Sequence, residues 1–198
     1  MGLDLDYTNG NTPLDEDEKE ELLIKSVTTR GELDEFEQQN IERAMLWMKR
    51  KKLNKEEVLS EKFVRELHRQ MYSGVWKWAG EFRRTDKNIG IDKHHIGIAL
   101  KQLLDDVLYW IQHNSFSDEE IAIHLKHRIV QIHCFANGNG RHSRLIADIM
   151  MEKIFHLPMF TWGVTNLVKK GDPRIAYIKA LKKADEGDYT DLLAFAKS

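Results

Sequence analysis

The sequence predicts an all-α fold with one short β-hairpin flap, and three observations favour this class. Apolar residues recur at helical spacing along most of the chain, most clearly between Ile96 and His113. Two capping boxes, Asn54–Glu57 and Ser117–Glu120, mark the starts of helices. The helical period is lost between Glu81 and His95, where residues 86–90 supply turn chemistry. We therefore expect a helical bundle that is interrupted by a single hairpin or irregular flap.

The predicted elements follow one another in a simple order. A polar arm over residues 1–14 is expected to be mobile or to lie on the surface. A short acidic helix comes next, and a longer helix begins at Thr28 or Thr29 and ends near Lys52. The other helices are expected over residues 54–72, 96–113, 117–132, 141–156, 173–186 and 189–195.

Composition and charge indicate one soluble domain. The chain has 198 residues, of which 30 are basic and 32 acidic, so that its formal charge is -2. This balance argues against bulk nucleic-acid binding, which needs a basic face. No apolar run approaches the roughly 20 residues of a membrane helix. The single cysteine, Cys134, and an N-terminus without signal-peptide character predict a cytoplasmic protein.

The stretch from His133 to Arg144 carries the chemistry. It joins two apolar runs that are predicted to be buried helices, so it forms a loop held at both ends. Gly138, Asn139 and Gly140 tolerate positive φ or close backbone approach. Inward-facing backbone N–H groups and the start of the next helix would then bind an anion. Arg141 and Arg144 lie on the first turns of that helix, so the loop reads as a polyphosphate cradle.

This stretch resembles the signature of the Fic-domain family, His-x-Phe-x-x-Gly-Asn-Gly-Arg-x-x-Arg. Members of the family mostly transfer AMP from ATP to a protein hydroxyl. The resemblance implies a Fic-like helical bundle over residues 55–198, and residues 1–54 would be an N-terminal arm with helices and a candidate regulatory role. It also implies ATP as substrate, Mg²⁺ as its metal, and a partner protein with an accessible Ser, Thr or Tyr hydroxyl. The oligomeric state is left open.

His133 is the predicted catalytic residue. Its imidazole could take the proton of the target hydroxyl, since its unperturbed pKa is near ~6.5. The resemblance assigns nucleotide binding to Gly138, Asn139, Gly140, Arg141 and Arg144. The competing interpretation of His133 is a hydrogen-bonded core histidine beside Ile132 and Phe135.

Asn137 is where this chain departs from the family pattern. Most active members have Asp or Glu at this position, where a carboxylate would hold Mg²⁺ against the phosphates. Asn137 offers one neutral oxygen, so we expect weaker metal binding. Two alternatives to AMP transfer therefore stay open. The protein could be a nucleotide-sensing or target-binding module, or it could transfer or remove another phosphate-containing group.

Two further sites are implied by resemblance. Asn88, Ile89 and Gly90 match the part of the Fic flap that clamps the backbone of the target. The stretch that begins at Thr28 is similar to the bacterial group called mobile mystery protein B. Glu32 there partly matches the inhibitory motif of the wider family, so one interpretation is that it pairs with Arg144 if its helix packs beside the loop. The competing interpretation is that Glu32 only stabilises the start of its own helix.

Overall fold

The computed structural model describes residues 12–164 and 172–198, and it confirms the all-α class. The α-helices of these residues are α1 (Glu16–Glu20), α2 (Arg30–Lys49), α3 (Lys55–Val58), α4 (Glu61–Tyr72), α5 (Ile96–His113), α6 (Asp118–Ile132), α7 (Asn139–Ile149), α8 (Asp172–Asp185) and α9 (Thr190–Lys197). A 3-10 turn, Lys93–His95, leads into α5, and a π turn, Met150–Ile154, continues α7. None of the described helices has the length and apolar character that crossing a membrane requires.

Capping residues set several helix starts as the sequence predicts. The Asn54 side chain accepts the N–H of Glu57 at 2.8 Å, and the Glu57 carboxylate accepts the N–H of Asn54 at 2.9 Å. The same reciprocal pair forms between Ser117 and Glu120 at the start of α6. These pairs satisfy backbone donors that a helix cannot satisfy within itself. The two starts therefore lie where the sequence places them.

The core that positions the site lies between α4, α6 and α7. Five of its side chains, all at most 1% exposed, are Val64, Leu67, Leu125, Ile129 and Ile146. Helix α6 packs on both α5 and α7, and α2 packs on α4. Leu33 and Ala44 of α2 belong to the same hydrophobic cluster as α4. Residues of the predicted N-terminal arm and of the predicted catalytic unit therefore share one core.

The N-terminal arm differs from the expectation in the part that the structure describes. Thr12 is 7% exposed and Leu14 is 5% exposed, so both side chains are buried rather than lying on the surface. Leu14 belongs to the core, and burying a leucine side chain contributes about 1.5–3 kcal/mol. Residues 1–11 of the predicted arm lie outside the described part of the chain.

The predicted hairpin is an irregular flap over residues 81–92, without a strand. Its backbone bonds to the end of α6 and to the α6–α7 loop instead of to itself. The N–H of Arg83 donates to the carbonyl of Cys134 at 2.9 Å, and the N–H of Ile91 lies 3.5 Å from the carbonyl of Ile132. With these groups engaged by the loop, no ladder forms across the flap.

Candidate active site

The candidate site is the loop between α6 and α7. His133 ends α6 in a left-handed conformation with φ of 57°. Gly138, with φ of 80°, precedes α7, and a Cβ at this position would lie 2.5 Å from the ring of Tyr72. Glycine is therefore required there. The side chain of Asn139 accepts the N–H of Phe135 at 3.0 Å and donates to its carbonyl at 2.8 Å. These contacts fix the shape of the loop.

The first turn of α7 can receive an anion. Gly138, its N-cap, offers no side-chain hydrogen bond, and the first N–H groups of a helix have no partner within the helix. A Cβ at Gly140 would meet no atom within 4 Å, so this part of the turn faces open space. A phosphate could approach the N–H groups and the positive end of the helix dipole here. Asn139 offers only its backbone, because its side chain is engaged with Phe135.

The imidazole of His133 is buried and held in one orientation. Its Nδ1 lies 3.3 Å from the carbonyl oxygen of Val130, which can only accept, so Nδ1 carries the proton. Its Nε2 lies 3.0 Å from the hydroxyl of Thr12 and accepts a hydrogen bond from it. Burial lowers the pKa of His133 to about 4, and the positive charge of Arg83 acts in the same direction. The ring is therefore neutral at pH 7, as a general base must be.

Arg83 ties the flap to His133, a role that the sequence did not indicate. Its Nε donates to the carbonyl of His133 at 2.7 Å. Its two terminal nitrogens donate to the carbonyls of Thr85 and Ile91. The residue is only 4% exposed. His133 is 50 residues from Arg83 in the chain, and Ile91 is separated from it by the turn of the flap. No local sequence pattern could therefore have revealed these two bonds.

His68 supports the other side of the loop and was also missed. The N–H of Gly80 donates to its Nδ1 at 2.9 Å, so Nε2 carries the proton and donates to the carbonyl of Asn137 at 3.1 Å. The ring stacks on Phe135 with centroids 3.7 Å apart. Burial holds the pKa of His68 well below its usual value. A histidine next to Leu67 on an otherwise apolar helix face was the available signal.

The predicted docking residues of the flap lie beside His133. Asn88, Ile89 and Gly90 are all exposed. A Cβ at Gly90, whose φ is 104°, would lie 2.6 Å from the Cβ of His133. The flap backbone thus passes directly over the candidate base, and glycine permits this approach. Docking of a target on these residues remains a prediction.

Arg141 is held by a buried carboxylate, Glu37 of α2. The two side chains form an ion pair, and Glu37 also accepts the indole N–H of Trp76 at 2.7 Å. The guanidinium of Arg141 lies 5.4 Å from the ring centroid of Tyr72, a cation–π contact. Glu37 was missed from the sequence, although an acid four residues after Leu33 interrupts the apolar face of α2.

Arg144 takes a different direction from Arg141. Its guanidinium carbon lies 5.6 Å from the ring centroid of Tyr177 in α8, and the side chain is partly exposed. Arg141 instead contacts Glu37 and Tyr72. The expectation that both arginines grip the outer phosphates of a nucleotide therefore stays a prediction, and for Arg141 it requires release from Glu37.

The structure gives Glu32 the capping role instead of the predicted pairing with Arg144. Its carboxylate accepts the N–H groups of Thr28 at 2.9 Å and Thr29 at 3.0 Å. These bonds lower the pKa of the exposed Glu32 side chain. The spacing from Thr29 to Glu32 is that of a capping box, and this local geometry decides the position of the carboxylate. Another acid of α2, Glu37, pairs with Arg141 in the first turn of α7.

Asn137 offers little to a metal ion by itself. Its Oδ1 accepts the N–H of Gly138 at 2.6 Å, and its Nδ2 donates to the carbonyl of Thr12 at 3.3 Å. Across the described parts of the chain, no group of three or more His, Cys, Asp or Glu side chains could hold a metal. Mg²⁺ prefers several oxygen ligands and commonly takes them from substrate phosphates. These residues therefore fit Mg²⁺ only as part of a nucleotide complex.

Comparison with known proteins identifies the family. Residues 58–151 match the model of the Fic/DOC family, a range that includes the whole α6–α7 loop. The chain belongs to the Fic-domain family. A protein adenylyltransferase Fic of Drosophila grimshawi is 30% identical over 138 residues, which are 68% of this chain and 27% of that protein. One from Aedes aegypti is 26% identical over 159 residues, or 78% of this chain and 30% of that protein.

Solved structures show the same Fic fold. Fic-1 from C. elegans superposes with a TM-score of 0.63 at 21% identity, over 80% of this chain and 46% of that chain. The BepC protein of Bartonella tribocorum, solved with bound AMPPNP, superposes with a TM-score of 0.66 at 15% identity, over 96% of this chain and 93% of that chain. The chain spans about a quarter to a third of the length of the adenylyltransferases that it matches.

Proposed function

We propose that this Fic protein transfers AMP from ATP to a Ser, Thr or Tyr hydroxyl of a target protein. The observation that carries the proposal is a neutral imidazole, His133, beside an uncapped helix start. Nε2 carries the lone pair because Nδ1 is engaged with Val130, and a target hydroxyl would take the place that Thr12 has at Nε2 in the structure. The open position at Gly140 lies in the first turn of α7, which follows the loop directly. The relatives named protein adenylyltransferase support the choice of nucleotide.

The proposed reaction uses MgATP as substrate. The α-phosphate lies against the N–H groups that begin α7, which stabilise charge on its oxygens. His133 accepts the proton of the target hydroxyl at Nε2 while the hydroxyl oxygen attacks the α-phosphorus. The bond from that phosphorus to the bridging oxygen breaks, and pyrophosphate leaves. Arg144 and a released Arg141 neutralise the departing phosphates.

Substitution of His133 tests the base. Incubation with ATP labelled at the α-phosphate and a bacterial lysate should label target proteins, and His133→Ala should reduce the rate by about 10²–10⁴. ATP affinity by calorimetry should change little, since the imidazole acts on the hydroxyl. Equal labelling by both proteins would refute the assignment.

Substitution of Arg144 tests the phosphate contacts. Arg144→Ala should weaken the binding of ATP far more than the binding of AMP, as measured by calorimetry. An equal loss of affinity for both nucleotides would refute the place of Arg144 at the outer phosphates.

A second candidate function is a nucleotide-sensing or target-binding module. The observation that favours it is the engagement of Arg141 by Glu37, together with an amide at Asn137. Such a module would bind ATP without transferring any part of it. Tight ATP binding without label in any lysate protein would support this function. Label from the γ-phosphate alone would instead indicate transfer of a different group.

A further inference from the structure

One side chain of the protein itself occupies the position of the acceptor hydroxyl. Oγ1 of Thr12 lies 3.0 Å from Nε2 of His133, the nitrogen that carries the lone pair. The carbonyl oxygen of Thr12 accepts a hydrogen bond from the side chain of Asn137 at 3.3 Å. The Thr12 residue is 7% exposed, so this is an enclosed contact. A threonine hydroxyl therefore meets the candidate base in proton-transfer geometry.

The segment that carries Thr12 is anchored on the flap. Lys87 of the flap forms ion pairs with Asp15 at 2.9 Å and Glu18 at 2.5 Å. The Lys87 side chain is only 3% exposed. Thr85 donates to Glu18 at 3.2 Å. Hydrogen bonding to the flap lowers the pKa of Asp15.

The interior anchors the same segment from its other side. Leu14 is buried in the core, and the indole N–H of Trp78 donates to the carbonyl of Glu18 at 3.3 Å. Thr12 precedes Leu14 by two residues, so the chain has little freedom to move its hydroxyl away from His133 while these contacts hold. The arm therefore presents one particular residue to the site.

The space for a nucleotide lies further along the loop. Thr12 contacts the side chains of His133 and Asn137, at the start and middle of the loop. The open turn is at Gly140, where a Cβ would meet no atom within 4 Å. The Thr12 contacts at His133 and Asn137 and the open position at Gly140, in the first turn of α7, are thus at different residues.

We propose that Thr12 is an intramolecular acceptor, so that the enzyme modifies its own N-terminal arm. This inference rests on the proposed function, which supplies ATP. The Thr12 oxygen attacks the α-phosphorus, its proton passes to Nε2 of His133, and the bond to the bridging oxygen breaks to release pyrophosphate. The product is a phosphodiester that joins Thr12 to adenosine. Because the hydroxyl is consumed, each chain takes one AMP at this position.

Peptide mapping after incubation of the full chain with labelled MgATP tests the proposal. The wild type should carry one AMP on Thr12. Thr12→Val should lose this label and Thr12→Ser should retain it. Thr28 is an exposed threonine just before α2, and the control variant Thr28→Val should be labelled to the same extent as the wild type. Self-labelling of Thr12→Val at the wild-type level, or label on another residue alone, would overturn the proposal.

Mixing experiments test whether the reaction is intramolecular. The labelled fraction per unit time should not depend on protein concentration. In a mixture with wild type, Thr12 of a tagged His133→Ala chain should stay unlabelled. Equal labelling of both chains would overturn the intramolecular route. Label on lysate proteins with none on Thr12 would overturn the inference while the proposed function stands. ATP binding with no label anywhere would overturn both.

Discussion

Glu37→Gln tests how the ion pair with Arg141 restrains the site. The two side chains are 3% and 17% exposed, so the pair lies out of water. Removing one charge from a buried pair costs about 3–5 kcal/mol. Glutamine can still accept the N–H of Trp76, so we expect a loss near the lower end, about 3 kcal/mol. For a chain of this size that is a fall in Tm of about 6–12 °C.

The same substitution should strengthen ATP binding. Arg141 would lose its carboxylate and become available to a phosphate. A hydrogen bond between charged groups contributes about 1.5–3 kcal/mol, which corresponds to an ATP Kd lowered about tenfold to a hundredfold. MgATP should then raise the Tm of Glu37→Gln more than that of the wild type, because tighter binding to the folded state adds stability.

Calorimetry and thermal unfolding with and without MgATP measure both effects. Glu35→Gln is the matched control, since Glu35 is an exposed acid on the same helix. Its Tm and ATP affinity should stay close to wild type. If Glu37→Gln and Glu35→Gln show the same Tm and the same ATP affinity, the ion pair does not restrain Arg141.

Three further predictions concern the loop, the flap and pH. Asn137→Asp should lower the Mg²⁺ concentration that gives half-maximal transfer, because it adds a charged oxygen ligand; an unmoved titration would contradict this role. Gly90→Ala should abolish transfer while circular dichroism stays unchanged, since its Cβ would lie 2.6 Å from the Cβ of His133. The control Gly97→Ala, at an open helix position, should remain active. Burial lowers the pKa values of His133 and His142 to about 4, so the unfolded chain binds protons first as pH falls below ~6.5. Burial raises the pKa of Asp148 to about 7, so this carboxyl takes up its proton in the folded state first and offsets part of the change. The free energy of unfolding in urea should still decrease from pH 6.5 to pH 4, because the two histidines outweigh the one carboxyl, and an increase would refute the buried neutral rings.

The helices could be predicted because their signals are local. Periodicity and the capping boxes at Asn54 and Ser117 depend on residues three or four apart, and both boxes are formed. The single helix expected over residues 54–72 is instead divided into α3 and α4, because Ser60 caps a new helix start. The α6–α7 loop could be located because Gly138 and Gly140 interrupt two apolar runs. The prediction of a hairpin was wrong, because the backbone of the flap bonds to carbonyls near His133, some 40 to 50 residues away in the chain.

The residues that complete the site were missed for the same reason. His68, Arg83 and Glu37 act on the loop from other elements, and their partners follow only from tertiary packing. For Glu32 the sequence allowed two interpretations, an inhibitory pairing and a capping box. The capping box is formed, because its partners are within four residues and need no tertiary contact. A polar residue on an apolar helix face was the one signal that could have drawn attention to His68 and Glu37.

The bonds of Arg83 have a consequence for any exchange of the flap of this Fic protein. The guanidinium of Arg83 donates to the carbonyl of Ile91 in the flap and to the carbonyl of His133. The flap that would select a target is therefore hydrogen-bonded, through one side chain, to the residue that would activate the target hydroxyl. Grafting a foreign flap in full would disturb the base along with the specificity. A successful exchange should keep Arg83 and Gly90 and vary only the exposed tip between them, where Asn88 and Ile89 lie.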